Sequence, residues 1–251
     1  MVARRTESEI NHIRASCQIV FQVQQALEQA VQPGITTAAL DQLAETIIRD
    51  HGATPAFKGY HGFPSTICAS VNAQAVHGFP NNTPLRSGDL LSIDVGTCLN
   101  GYFGDGAFTL GIGTLDPSIH RLLETTRTCL AQGIAQAHVG KHLSDISHAI
   151  QNCAEADGFA VVHGFGGHGI GRALHEEPHI PNYGPPGKGP KLRRGWVISI
   201  EPILSIGSPE VIVGSDGWTT TTSDDSPAAH FEHTLAITDA GPEILTLPAQ
   251  P

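Results

Sequence analysis

The sequence predicts a mixed α/β (α+β) protein made of two related halves, on three observations. Segments with apolar residues at helical spacing alternate with short apolar runs rich in Val and Ile. Gly34 to Gly52 and Gly140 to Gly158 each enclose one short helical pattern, with the same glycine-to-glycine spacing. LRSGDLLSIDVG (85–96) resembles LRRGWVISIEPI (192–203), matching at Leu, Arg, Gly, Ser, Ile and then an acid, Asp94 or Glu201. The two pairs are displaced by 106 and 107 residues. Independent segments at nearly one offset argue for one unit used twice, roughly 34–110 and 140–238, within a single domain over 1–251. If the halves pack about a pseudo-twofold axis, Asp94 and Glu201 face each other across it.

The elements follow in order. Thr6 to Val31 carries Ile10, Ile13, Cys17, Val20, Phe21, Ala26 and Leu27 at helical spacing and reads as a long helix. A second helix spans about Thr36 to Asp50, with Gly52 as its stop. Strands are expected at 65–72, 89–99 and 102–110, and helices at about 116–137 and 142–156, with Gly158 as a second stop. Further strands are expected at 159–163, 196–206 and 231–237. Tyr183 to Pro190 and the polar run Gly214 to Ala229 read as irregular.

The bulk properties exclude several classes. A net charge of −10 and no basic stretch argue against a nucleic-acid partner. Arg4-Arg5 and Arg193-Arg194 are isolated pairs, read as solvated. No run approaches the ~20 apolar residues needed to cross a bilayer, and MVARRTESEINHIR lacks the apolar core of a signal peptide. Five cysteines without a C-x-x-C pair fit reduced thiols and a cytoplasmic location better than a disulfide framework.

The informative residues are acids in the wrong places. Asn100-Gly101 is a strong signal for a two-residue type I′ hairpin. That turn pairs Leu99 with Tyr102, Cys98 with Phe103, Thr97 with Gly104 and Gly96 with Asp105. Asp94 then lies on the same face as Gly96, diagonal to Asp105, and Gly96 leaves open space above the sheet. Asp94 sits in LLSIDV, Glu201 in VISIEPIL, and Glu232 opens FEHTLAI. A buried carboxylate is costly unless it is paired or binds a cation. Three explanations stand: strand ends facing solvent, salt bridges, or a metal cluster. These strands offer few basic partners, and four acids recur in similar settings. Two divalent cations would cancel four carboxylates. Oxygen ligands with one imidazole suit Mn, Fe(II), Co or Zn. Such a site can polarise a carbonyl, as in aminopeptidases. His168, within GFGGHGIG (164–171), is the candidate imidazole, its glycines letting the backbone turn tightly and leaving it accessible; the alternative is a histidine in a flexible loop.

Three motifs are set aside. GFGGHG fits G-x-G-x-x-G, but Pro178, Pro181, Pro185 and Pro186 preclude the helix a dinucleotide site needs. GPPGKG lacks the Ser/Thr of a phosphate loop. HEEPH (175–179) has the spacing of H-E-x-x-H zinc proteases. That site requires a helix, and Pro178 biases Glu177 away from one. His179 is therefore read as a surface or packing residue, and Glu176 and Glu177 carry no catalytic role.

HGFP (77–80), SIDVG (92–96), GDGAFT (104–109), GGHGIGRALHEEPHI (167–180), SIEPIL (199–204) and FEHTLAIT (231–238) together resemble type I methionine aminopeptidase, in order along nearly the whole chain. The resemblance implies the pita-bread fold: two pseudo-symmetric halves, with a central antiparallel sheet covered by helices, forming a single catalytic domain. It implies two divalent metal ions (Co, Mn, Fe(II) or Zn) held by Asp94, Asp105, His168, Glu201 and Glu232, with Glu232 bridging. It makes Glu201 the proton shuttle and gives His77 and His175 contacts to the scissile amide and the tetrahedral intermediate. It lines a methionine pocket with Tyr60, Phe63, Cys68, His77, Leu174, His175 and Trp218. It further implies nascent polypeptide N-termini with a small second residue as substrates, transient ribosome contact, a monomer, and no nucleic-acid or membrane partner.

The chain departs from the pattern at Gly106, where Thr or Ser is usual and a hydroxyl near the metals is expected to be missing. Phe57, Phe63 and Leu174 also stand where Cys, Tyr and Phe are frequent. The zinc-binding extension of eukaryotic type I enzymes and the insert of type II are not seen. Two alternatives are a peptidase of this fold acting on Xaa-Pro bonds and a non-catalytic binding protein. The first usually has a larger N-terminal domain, and the second usually loses metal ligands.

Overall fold

The structure of the chain, a computed structural model, describes residues 2–248. Its helices are α1 (Glu7–Ala30), α2 (Thr37–Asp50), α3 (Pro117–Ile134) and α4 (Leu143–Ala156). The strands are β1 (Thr54–Pro55), β2 (Ile67–Val71), β3 (Gln74–Val76), β4 (Leu90–Leu99), β5 (Tyr102–Gly111), β6 (Ala160–Val161), β7 (Gly166–Gly169) and β8 (Glu176–Pro181). They continue as β9 (Val197–Ile200), β10 (Ile203–Ser205), β11 (Val211–Val213), β12 (Thr220–Thr222), β13 (Ala228–His230), β14 (His233–Thr238) and β15 (Gly241–Ile244).

The helices begin where the caps require. Thr6 and Glu9 form a reciprocal capping box: Glu9 N–H donates to Thr6 Oγ1 (3.3 Å) and Thr6 N–H to the Glu9 carboxylate (3.0 Å). Thr36 caps α2, and Asp116 with Pro117 opens α3. The hairpin register is the predicted one, with Gly96 opposite Asp105 and Leu99 opposite Tyr102. Asn100 and Gly101 both have positive φ (53° and 77°), as a type I′ turn demands.

The sheet pairings are antiparallel. β4 is central to one sheet, flanked by β1 and β2 on one side and β5 on the other. The other large sheet runs β15-β14-β9-β7-β8, and two small ones run β13-β10-β6 and β11-β12-β3. Apolar faces of α1 and α2 cover the β4–β5 sheet around Val20, Val23, Leu27, Leu40, Leu91 and Ile93. Those of α3 and α4 cover the five-stranded sheet around Leu130, Ile146, Ile150, Ile198 and Leu235. Burial of these aliphatic faces is the main favourable term for the fold.

Backbone hydrogen bonds recur at the offsets read from the sequence. Gly34 N–H donates to Leu85 O (2.8 Å), and Gly140 N–H to Leu192 O (2.9 Å). Leu85 N–H donates to Ile35 O, and Leu192 N–H to Lys141 O, both at 2.8 Å. Ala56 N–H to Gly96 O and Val162 N–H to Ile203 O form a third pair, both at 2.9 Å.

The structure departs from expectation where short strands pair only through tertiary contacts. The 196–206 strand breaks at Glu201-Pro202, because proline brings no N–H to a ladder. β9 joins the five-stranded sheet, and β10 joins β13 and β6. A parallel break at Phe231-Glu232 separates β13 from β14 across the same two sheets. The polar run 214–229, expected to be irregular, contains β12 and the start of β13. α3 ends at Ile134 rather than near 137.

Gly104 lets α1 seat on the hairpin. A Cβ there would stand 2.7 Å from Cys17 N and 2.9 Å from Cys17 Cα, which are helix backbone. Gly104→Ala should therefore cost about 1–3 kcal/mol through overpacking, with a loss of several degrees in Tm by scanning calorimetry. An unchanged Tm would show that α1 does not rest against β5 at this point.

Candidate metal centre and substrate pocket

The acids meet where strands end or change sheets. Asp94 and Asp105 project from β4 and β5 on one face of the hairpin, as their register requires. Glu201 and Glu232 occupy the two adjacent breaks, tied to each other by Phe231 N–H to Pro202 O (3.3 Å) and to β5 by Glu232 N–H to Ala107 O (2.8 Å). Buried hydroxyls lock the junction. Thr234 Oγ1 donates to Asp105 O (2.8 Å), and Thr109 Oγ1 donates to His230 O (2.6 Å).

His168 lies in β7, in the interior of the five-stranded sheet, and is 7% exposed. The expected accessibility is corrected, and the alternative of a flexible loop fails with it. Its glycine neighbours serve close approach: a Cβ at Gly167 would stand 2.1 Å from Ser199 O. His168 Nδ1 lies 2.9 Å from Gly169 O, an acceptor only, so Nδ1 carries the proton and the Nε2 lone pair is free. That lone pair faces Asp105 Oδ2 and Glu201 Oε1 at 3.8 Å and Glu232 Oε1 at 4.0 Å.

Three carboxylates around an imidazole lone pair repel one another unless a cation lies between them. Asp105 and Glu232 are 3% and 2% exposed, so the solvated-strand-end explanation fails for both. Among the described residues, none of the ion pairs brings Lys or Arg to any of the four acids. Asp94 Oδ1, Glu232 Oε1 and His230 Nε2 are buried with no hydrogen-bond partner. Ligand atoms of Asp105, His168 and Glu232 lie within 4.8 Å of one another. The donor set therefore fits divalent cations.

In the protein alone, burial pushes Asp94 up to about 6. Burial, then repulsion from neighbouring acids, raises Asp105, Glu201 and Glu232 well above the usual carboxylate range. Burial lowers His168 to about 3, with help from His175, so it is a neutral donor at pH 7.

A cavity of about 370 Å³ opens on this cluster. Every site residue expected from the sequence borders it: Asp94, Asp105, His168, Glu201 and Glu232, with Tyr60, Phe63, Cys68, His77, Leu174, His175 and Trp218. Phe63 packs edge-on against Phe79 (5.3 Å) and Trp218 (5.2 Å) to make an apolar wall. His77 holds a left-handed backbone (φ 59°), and burial lowers it to about 4. His175 is exposed as a residue, and partial desolvation against the cavity wall also lowers it.

Other expectations are corrected. The space above Gly96 is filled by Phe57, whose Cε1 would stand 2.5 Å from an added Cβ. A Cβ at Gly106 would stand 3.0 Å from Gln24 Nε2, on the face covered by α1, because alternate residues face opposite sides. A hydroxyl there would meet Gln24 rather than the metals. Arg5 is not solvated: its side chain is 8% exposed and pairs with Glu176, which also accepts Arg172 N–H (2.8 Å) and Ala173 N–H (3.0 Å). The N-terminal segment thus pins the turn that carries Leu174 and His175.

HEEPH is strand, not helix: His175 precedes β8, and Glu176 to His179 are its first four residues. His179 is exposed, stands opposite His168 in register, and borders the cavity mouth. Sequence reasoning missed His230, 3% exposed, whose Nε2 lies 3.4 Å from Glu201 Oε2. Its position two residues before Glu232, in an apolar strand, was the available signal.

Fold and site together define a metal-dependent peptidase. The model of metallopeptidase family M24 matches residues 11–239, and the chain belongs to that family, among its type I methionine aminopeptidases. It is 48% identical to the methionine aminopeptidase of Clostridium perfringens, over 98% of this chain and 99% of that one. It is 41% identical to the crystal structure of methionine aminopeptidase from Thermotoga maritima, with a TM-score of 0.97 over 98% of this chain and 99% of that one. The prolidase of Pyrococcus furiosus shares the fold (TM-score 0.80, 22% identity, covering 98% of this chain and 66% of that one). No helix among the described residues is long and apolar enough to cross a membrane.

Two outcomes follow. Carboxyls whose pKa is raised in the fold keep protons there that the unfolded chain has released, so their contribution to native stability falls as pH rises above about 4. Buried histidines with lowered pKa, His77 and His168 among them, act oppositely, and their cost to stability disappears as pH rises past about 6.5. Above that pH the carboxyls dominate, so the Tm of chelator-treated protein should fall between pH 7 and 8, and Mn²⁺ or Co²⁺ should shrink or reverse that fall. A metal-free Tm that rises over this range would contradict the buried cluster. Arg5→Met leaves Glu176 unpaired and should cost about 3 kcal/mol by urea unfolding; a cost under about 1 kcal/mol would mean that the pair is effectively a surface one.

Proposed function

We propose that this enzyme removes the initiator methionine from nascent polypeptides with a small second residue, using two divalent ions held by Asp94, Asp105, His168, Glu201 and Glu232. The observation that carries this reading is the His168 lone pair facing three carboxylates beside an apolar cavity. Two ions are favoured over one because four carboxylates meet with no lysine or arginine partner among the described residues, and two divalent cations would cancel their four negative charges where one would not.

Bound ions would supply Lewis acidity toward water and the scissile carbonyl. The side chain of the first residue enters between Phe63, Trp218, Cys68 and Leu174, where there is no charge to desolvate. Glu201 takes the proton of the attacking water on its carboxylate and returns it to the leaving amine nitrogen. His77 and His175 contact the scissile amide and stabilise charge on the tetrahedral carbon's oxygen. Mn, Fe(II), Co and Zn all suit this donor set.

The single catalytic domain over 1–251, with its repeat at 34–110 and 140–238, is supported by the paired backbone hydrogen bonds at equal offsets. A cytoplasmic monomer that touches the ribosome transiently accords with a substrate that exists only as new chains emerge.

Release of methionine from a Met-Ala-Ser peptide with added Co²⁺, Mn²⁺ or Fe²⁺ tests the reading, with a Xaa-Pro peptide as comparison. Turnover of Xaa-Pro but not Met-Ala would favour the prolidase-type activity. No turnover with any metal, despite metal binding, would favour the non-catalytic alternative. Glu201→Ala and His168→Ala should lower kcat by at least about 10³-fold, while His179→Ala should change it less than about tenfold. Equal damage from His179→Ala would overturn the ligand assignment.

A further inference from the structure

The Tyr60 phenol has a partner that a merely pocket-lining residue would not need. Its Oη lies 2.9 Å from Nδ1 of His175, and the two rings are 5.3 Å apart. Among the described residues this is the hydroxyl's one hydrogen-bond partner. The backbone around Tyr60 is held on both sides. Gly59 and His61 are both left-handed (φ 89° and 48°), an unfavourable conformation for His61. Tyr60 N–H donates to Phe57 O, and Tyr60 O accepts from Phe63 N–H, each at 2.9 Å. A turn fixed this way sets where the phenol goes.

We propose that Tyr60 is a positioning residue for His175: its O–H donates to Nδ1 and so fixes the tautomer with the proton on Nε2. A neutral imidazole has one N–H to place, and the partner of one nitrogen decides which nitrogen carries it. With Nδ1 accepting from the phenol, the N–H stands on the ring edge away from Tyr60, in the cavity whose wall His175 forms. In the opposite tautomer a bare lone pair would face the developing oxyanion and repel it. The phenol thus orients the donor without touching the reacting atoms. This role rests on the reading of His175 as an amide-contacting group, and it adds to the lining role of the Tyr60 ring.

Tyr60→Phe keeps the ring and removes the donor. In the Zn²⁺-loaded protein, long-range ¹H–¹⁵N correlation of the His175 ring, assigned by its loss in His175→Gln, reads the tautomer directly. The expected wild-type spectrum has an unprotonated Nδ1 and a protonated Nε2, with a mixed signal in Tyr60→Phe. On a Met-Ala-Ser peptide, kcat should fall about tenfold, with KM within about twofold. A wild-type His175 protonated on Nδ1 would overturn the proposal. So would a Tyr60→Phe protein with an unchanged tautomer and kcat, or one with changed KM alone, the result expected of a lining residue. The spectrum reads the tautomer whether or not methionine is released. An Nε2–H signature in a protein without turnover would therefore sink the proposed activity while supporting the Tyr60–His175 bond.

Discussion

Four carboxylates share one site with no lysine or arginine paired to them among the described residues, and much of the structure follows from that constraint. Buried like charges must either take up protons or enclose cations. In the protein alone, burial and, for most, mutual repulsion push all four acids above the usual carboxylate range, toward the first. The orientation of His168 is arranged for the second. Its Nδ1 proton is committed to a carbonyl, leaving Nε2 as a bare donor among the acids. Folding and metal binding are therefore linked, because ions that bind only the folded site stabilise it.

The architecture keeps those acids apart in sequence and together in space. Each half brings one carboxylate at the same point of its repeat, Asp94 in β4 and Glu201 after β9. The sheet changes at Pro202 and Glu232 then turn strand ends inward. Buried threonine hydroxyls join β5 to β13 and β14, where no strand ladder can. Such bonds are worth about 1 kcal/mol each but are costly to leave unmade. Arg5 and Glu176 do the same at the rim, holding the turn that bears His175.

Different parts of this arrangement were legible for different reasons. The β4–β5 register could be read residue by residue because Asn-Gly dictates a two-residue turn and alternation assigns the faces. The five candidate ligands, with His77, Leu174 and His175, fall within six ordered motifs, while Tyr60, Phe63, Cys68 and Trp218 lie outside them and came only with the resemblance; one cavity borders them all. The strands β3, β7, β8, β11, β12 and β15 were not legible. Each is six residues or fewer, too short to show a period; β3, β7 and β12 pair with strands remote in the chain, and β8, β11 and β15 are edge strands paired with near neighbours. Gly166-Gly167-His168-Gly169 reads locally as a flexible loop. Only Ser199 and Glu177, packed against it, show why it is a glycine-rich strand.

The sequence by itself determined the class of fold, the repeat and the identity of the acids, because these rest on local periodicity and on residue types that cannot be buried casually. Tertiary structure decided how those groups are used. Whether Arg5 is solvated or buried depends on a carboxylate 171 positions away. Whether Gly96 opens space depends on where Phe57 packs, and which nitrogen of His168 is free depends on a carbonyl's direction. Each is set by contacts between segments remote in the chain, and neither composition nor periodicity carries that information.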